Sequence, residues 1–349
     1  MEDEFASGGE ILFERRGKAG VITLNRPSAL NALNHGMISA LRRALSTWEA
    51  DDSIRLVIIR GEGRAFSAGG DIVEVYKAGR AGNASPAFFA DEYRLNAHIA
   101  RFAKPYVALI DGIVMGGGVG ISFHGSHRVM TEKAVFAMPE VGIGFFPDVG
   151  GSYLLSRAGS CGMYLALTGN RILRGDALRM GLATHAVDSA DLPALFDRLV
   201  ETGEADEAIS AFCKNVPPES DEASFHAIER HFALGTLDDC LLSLQRGAEA
   251  GEELARDALA TIRTRSPTSL HVAFRQVRYG AMLSMDECMQ MEFRILNRML
   301  KNHDFYEGIR AALIDKTKDP AWSPASVEDV DPAAIEAFFA PLEEGELQL

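Results

Sequence analysis

The sequence predicts an α/β fold followed by a helical C-terminal region, on two observations. Over roughly the first two hundred of its 349 residues, short apolar β-rich runs alternate with amphipathic helical stretches. Beyond about residue 190 the strand signals stop, and apolar residues recur at three- and four-residue spacing. The first pattern belongs to mostly parallel sheets covered by helices, the second to packed helices. The chain is long for a single core. The boundary is therefore expected near residue 200, with a core over 1–200 and a helical region over 201–349.

Taken in order, ILFERR (11–16) and GVITLN (20–25) read as strands, and a helix is expected from about Asn34 to Ala50. RLVIIRG (55–61) and PYVALIDG (105–112) are compact apolar strands bounded by glycine. Between them PAFFADEYRLNAHIARFA (86–103) carries helical spacing. RVMTEKAVFAM (128–138) gives two short strands about a T-E-K turn. The helical region opens with LPALFDRLVETG (192–203) and continues through five periodic segments to MDECMQMEFRILNRMLK (285–301), whose Met and Phe read as helix core. The last residues, PLEEGELQL (341–349), read as a solvated acidic tail.

Composition narrows the function classes. A net charge of −14 argues against nucleic acid as a partner, because phosphate neutralisation needs clustered Lys and Arg. No apolar run reaches the length of a membrane helix. The opening MEDEFASGGE is acidic and lacks an apolar h-region or an Arg-rich pattern, so no signal or transit peptide is expected and a cytoplasmic protein is. Cys161, Cys213, Cys240 and Cys288 are dispersed and form no C-x-x-C pair, as for reduced structural thiols.

Two glycine-rich turns follow strands. R-A-F-S-A-G-G-D-I (64–72) comes after RLVIIRG, and D-G-I-V-M-G-G-G-V-G-I (111–121) after PYVALI. Glycine lets a ligand approach the main chain closely, and a helix N-terminus leaves N–H groups without partners. Two such donors from separate loops meet the requirement of an oxyanion hole. On glycines alone, tight turns with close helix–sheet packing explain the pattern as well. Neither cluster is G-x-G-x-x-G, since Ile121 holds the place of the last glycine after Gly116 and Gly118, which disfavours a nicotinamide enzyme. Ser67 is not in a G-x-S-x-G elbow. His124 and His127 lack the further ligands that a zinc site needs, so no metal is expected.

The chain also places two acids, Glu140 and Asp148, in the apolar stretch F-A-M-P-E-V-G-I-G-F-F-P-D-V-G-G (136–151). Alone, Glu140 reads as a solvated strand-end acid and Asp148 as the N-cap of a helix starting near Gly151. Glu92, on the helix 86–103, reads equally as an exposed charge.

Together the stretches L-N-R-P-S-A-L-N-A-L (24–33), A-F-S-A-G-G-D-I (65–72), K-P-Y-V-A-L-I-D-G (104–112), M-G-G-G-V-G (115–120) and F-A-M-P-E-V-G-I-G (136–144) resemble the crotonase superfamily of acyl-CoA enzymes. The resemblance implies that family's spiral of ββα units, with the oxyanion donors on the N–H groups of Gly70 and Gly117. Further segments extend it toward the C-terminus: F-F-P-D-V-G-G-S-Y-L-L-S-R (145–157), S-P-T-S-L (266–270) and H-D-F-Y-E-G-I-R-A-A-L-I-D-K (303–316). With these the chain is similar to the 3-hydroxyisobutyryl-CoA hydrolase subgroup. Hydratases of the superfamily carry a second glutamate where this chain has Gly120, and the hydrolase subgroup shares that loss.

The resemblance implies an acyl-CoA substrate, with no cofactor other than the coenzyme A moiety it carries. Glu140 would attack the thioester carbonyl or activate water, and Asp148 would bond the 3-hydroxyl or assist proton transfer. Glu92 would contact substrate. Arg26 and Lys316 are the first candidates for the coenzyme A phosphates. Many crotonases form trimers, but the helical region could cover the associating surface, so the oligomeric state stays open.

Overall fold

The structure, a computed structural model, describes Phe5, residues 8–343 and residues 345–349. Most of the acidic opening stretch therefore lies outside the described residues. The strands are β1 (Ile11–Arg16), β2 (Ala19–Leu24), β3 (Leu56–Gly61), β4 (Ala65–Ser67), β5 (Tyr106–Ile110), β6 (Ile113–Met115), β7 (His127–Met130), β8 (Val135–Ala137) and β9 (His185–Ala186). The helices to Ser210 are α1 (His35–Glu49), α2 (Ile72–Arg80), α3 (Ala87–Ala100), α4 (Gly117–Gly120), α5 (Gly151–Arg157), α6 (Gly159–Thr168), α7 (Arg174–Arg179), α8 (Leu192–Thr202) and α9 (Ala205–Ser210). Beyond them lie α10 (Glu222–Phe232), α11 (Leu237–Glu249), α12 (Glu253–Ile262), α13 (Pro267–Gly280), α14 (Met285–Met299), α15 (His303–Ile309) and α16 (Pro332–Phe339).

The chain divides into two compact units, and neither is a continuous stretch. One comprises residues 1–71, 91–136 and 172–219; the other 72–90, 137–171 and 220–349. A single cut near residue 200 does not describe this division. The segments 72–90 and 137–171 belong with the C-terminal helices, although their sequence position lies within the expected core.

The first unit holds a six-stranded sheet in the order β1-β2-β3-β5-β7-β9 and a three-stranded sheet in the order β4-β6-β8. β1 and β2 pair antiparallel, while β2, β3, β5, β7 and β9 run parallel. Parallel strands covered on both faces are apolar throughout rather than alternating. β2 is buried at every position, which matches AGVITL, and so is β5. Val21, Ile58, Val107 and Val129 point to one face and pack with Leu195, Phe196 and Leu199 of α8 and Ala208 and Ile209 of α9. α1 starts where Asn34 accepts from the Met37 N–H, and buries Met37, Leu41, Leu45 and Trp48 on its apolar stripe.

The second unit is helical. Its helices begin at legible caps: Asp221, Thr236 and Ser266 each accept from a backbone N–H in the first turn, and Ser284 forms a capping box with Glu287. The described C-terminal residues are mostly exposed, as expected of a solvated tail, but they are anchored. Leu347 is buried, and both oxygens of Glu346 accept from Arg294 Nε at 3.0 and 2.9 Å. A leucine among acidic neighbours is an anchor that charge counting overlooks.

Candidate active site

β4 and β6 are neighbours in the small sheet, pairing in parallel with Ala65 opposite Ile113. Both run into glycine, so two turns leave the same end of one strand pair. After β4 the chain passes Gly69, at φ +111°, a conformation open to glycine but not to an L side chain without strain. It is pinned there by Leu33, whose N–H donates to Gly69 O while its own carbonyl accepts from Asp71 N, both at 2.8 Å. That pairing skips Gly70. After β6, Gly116 at φ +48° turns the chain into α4. The helix expected after the glycine triplet is a single turn of four residues, so local peptide geometry rather than a long dipole sets its donors.

Neither the Gly70 nor the Gly117 N–H donates to another group among the described residues. A Cβ built on Gly117 would lie 3.1 Å from Gly70 N and 2.5 Å from Glu92 Oε1. The two N–H groups and the Glu92 carboxylate thus border one small space. Glu92 is 2% exposed, so it is not an exposed helix charge. Two N–H donors free of partners can stabilise an oxygen that gains negative charge.

The second unit carries the other two acids. Glu140 begins a 3₁₀ turn (Glu140–Ile143) and is 6% exposed; its Oε2 has no hydrogen-bond partner among the described residues. A solvated strand-end acid is therefore not what the structure contains. The Glu140 carbonyl accepts from the N–H of Phe145 at 3.0 Å, and the Phe145 ring packs on Phe89, Phe146 and Phe305 with centroids 5.9, 4.6 and 5.4 Å apart. Burial pushes the Glu140 carboxyl well above the usual carboxylate range, and the negative charges of Asp148 and Glu292 push it further.

Asp148 is 4% exposed. The N-cap position of α5 is held by Gly150, not by Asp148. The Asp148 backbone carbonyl accepts from Gly151 N at 2.7 Å. Glu292, which the sequence reading counted only within an apolar helix, is fully buried, and burial pushes its carboxyl up to about 8. Its signal was present. Cys288, Glu292, Ile295, Leu296 and Met299 share the buried stripe of α14, so the glutamate sits at a core position.

The cation candidates separate. Arg26 pairs with Glu10 at 2.9 Å and Asp71 at 3.2 Å and donates to Ala32 O at 2.8 Å. These partners engage its guanidinium in holding the loop before Leu33. Lys316 is exposed, at φ +58° after the π-turn Arg310–Ile314, and has no ion pair among the described residues. Ser67 donates its hydroxyl to Asn31 O at 2.9 Å and is a buried staple. His127 bonds Ser126 and Asp206, and its ring stacks on His185. No described helix is long and apolar enough to cross a membrane.

Residues 19–339 match the enoyl-CoA hydratase/isomerase family. A zebrafish (Danio rerio) protein named 3-hydroxyisobutyryl-CoA hydrolase, mitochondrial, is 44% identical over 98% of this chain and 92% of its own length. Among solved structures, one titled as a carnitinyl-CoA dehydratase from Mycobacterium thermoresistibile is 43% identical, with a TM-score of 0.91 over 97% of this chain and 98% of its own. Another, titled as an enoyl-CoA hydratase from Rhodobacter sphaeroides, is 39% identical, with a TM-score of 0.90 over 97% and 100%.

Proposed function

The chain belongs to the enoyl-CoA hydratase/isomerase (crotonase) family, and on that premise we propose that it hydrolyses the thioester of 3-hydroxyisobutyryl-CoA or a similar short 3-hydroxyacyl-CoA. The products are the free hydroxy acid and coenzyme A, a step of valine breakdown. The observation that carries the proposal is Glu140: a buried carboxyl with one oxygen lacking a hydrogen-bond partner among the described residues and a raised proton affinity. A carboxyl with raised proton affinity is a stronger base once ionised, and its ionised form is a poorly hydrated nucleophile.

In the proposed reaction the N–H groups of Gly70 and Gly117 receive the thioester oxygen as it becomes an oxyanion. Glu140 either attacks the acyl carbon, giving a mixed anhydride that water then cleaves, or takes a proton from the attacking water. In both routes a C–O bond replaces the C–S bond, and the coenzyme A sulfur leaves with a proton. Asp148 holds the 3-hydroxyl or passes that proton, and Glu92 contacts the acyl end. Lys316 remains the proposed cation for the coenzyme A phosphates.

Hydration is the second reading, favoured by the titles of the two solved relatives. It asks for a second acid–base group where this chain has Gly120, buried and without a side chain. Incubation with 3-hydroxyisobutyryl-CoA and a thiol reagent separates the readings. Release of free thiol supports hydrolysis. Loss of crotonyl-CoA absorbance without thiol release supports hydration, and binding with neither leaves an acyl-CoA-binding protein. Single-turnover hydrolysis in ¹⁸O-water, with the label sought on Glu140, distinguishes the anhydride from direct water attack. A cytoplasmic setting is the finer part of the proposal; the zebrafish relative's name says mitochondrial, and fractionation of the native protein decides.

A further inference from the structure

Two C-terminal helices grip the turn 147–152 on either side of Asp148. From α13, Gln276 donates Nε2 to Pro147 O at 2.5 Å. From α14, Glu292 accepts Gly150 N on Oε2 at 2.8 Å, and Ser152 N and Ser152 Oγ on Oε1 at 2.9 and 2.6 Å. Both gripping side chains are fully buried. Between the grips Val149 has φ +51°, a left-handed conformation that a β-branched residue rarely adopts and that persists only where neighbours over-determine it.

The choice of glutamate at 292 is instructive. Among the described residues it pairs with no Lys or Arg, so it is not half of an ion pair. It also stands near two other acids, Asp148 and Glu140, which makes its charge costly. A glutamine would be cheaper to bury. An amide, however, has one acceptor oxygen, and the two backbone N–H groups here point at different oxygens of the carboxyl. Only a carboxyl accepts both.

We propose that Glu292, with Gln276, is a positioning residue for the hydrolytic reaction: it fixes the strained turn that aims Asp148. The C-terminal helices then take part in turnover through that turn and are more than a cover. This inference rests on the role assigned to Asp148 above.

The test is a double-mutant cycle on the full-length protein, with thiol release from 3-hydroxyisobutyryl-CoA as the readout, followed long enough to quantify slow variants. Glu292→Gln is expected to lower kcat on the order of 10- to 100-fold, as for a misplaced reacting group, with KM within about threefold. In an Asp148→Asn background the same change is expected to lower kcat by less than about twofold, because coupled residues do not add. An equal loss in both backgrounds, a wild-type kcat in Glu292→Gln, or a change confined to KM overturns the inference. Should Glu292→Gln not fold, Ser152→Ala removes a single hydroxyl bond and is read the same way, with a smaller loss expected only where Asp148 is present. If Asp148→Asn alone turns over like wild type, the role of Asp148 fails and this inference with it. That arm is independent of residue 292.

Discussion

Oxygen Oε1 of Glu92 lies 2.5 Å from the point that a Cβ on Gly117 would occupy, and Gly70 N lies 3.1 Å from the same point. A Cβ at that point would require the Glu92 carboxyl, the far end of its side chain, to move, and the Gly70 backbone to give by a few tenths of an ångström. Gly117→Ala should displace Glu92 and crowd the Gly70 N–H together. Turnover is expected to fall by about 10²- to 10³-fold, the scale of losing one oxyanion donor. Thiol-release kinetics check this, and an alanine variant with wild-type kcat would remove the paired donors from the mechanism.

The role proposed for Glu140 carries a pH dependence. A base must be ionised to act, and burial with Asp148 and Glu292 raises its proton affinity. Activity should therefore rise with pH, with the half-point of kcat/KM above the ordinary carboxylate range. Asp148→Asn deletes one of the charges that hold the proton on Glu140, so its half-point should move to lower pH, whatever happens to kcat. Glu140→Gln should abolish thiol release while coenzyme A binding persists.

Glu292 makes stability depend on pH with a definite sign. Its folded carboxyl titrates at about 8, above the ordinary value of 4.5. The folded state therefore holds a proton that the unfolded state releases, and the stabilisation is complete below about pH 4.5. It is lost as pH rises toward 8, on the order of a few kcal/mol across that window. Glu292→Gln cannot titrate. Its urea midpoint should vary less than the wild-type midpoint between pH 5 and 8, and parallel curves would contradict the assignment.

The two cation candidates should behave differently. Arg26 is bonded to Glu10, Asp71 and Ala32 O; if these bonds are its whole role, Arg26→Gln should lower the melting temperature and leave the acyl-CoA KM unchanged. Lys316→Ala should leave melting nearly unchanged and raise KM, with the difference shrinking in high salt as screening grows. A KM effect from Arg26→Gln alone would reverse the two roles.

At the C-terminus, Leu347 is 2% exposed and Glu346 is paired with Arg294 in a partly exposed bridge. Leu347→Ala should cost about 2–3 kcal/mol by denaturant unfolding, as for a buried leucine. Glu346→Gln should cost less than about 1 kcal/mol, as for an ion pair near the surface.

Much of the fold was legible because local rules agree with it. GVITLN, RLVIIRG and PYVALIDG are strands since their apolar runs suit a sheet covered on both faces, and Asn34 or Ser284 start helices through their own side chains. The short strands β4, β6 and β9, of three, three and two residues, carry too little pattern to stand out. The glycine turns and Glu140 could be singled out as candidates, because glycine beside strand ends and acid among aromatics are visible in one dimension. Glu292 was visible in principle, as the one acid on the apolar stripe of α14, yet its partners lie some 140 residues away.

By itself, then, the sequence determined most of the segments that become strands and helices, and it singled out the candidates proposed for acyl transfer. Those properties depend on side chains a few positions apart. Tertiary structure alone decided that residues 72–90 and 137–171 join the C-terminal helices, that Arg26 is engaged by carboxylates, that Leu347 anchors the terminus, and that Glu292 holds the turn beside Asp148. Each of these depends on which distant groups a buried atom meets. Desolvation, which sets both the proton affinity of an acid and the need for partners, has no local signature in the chain.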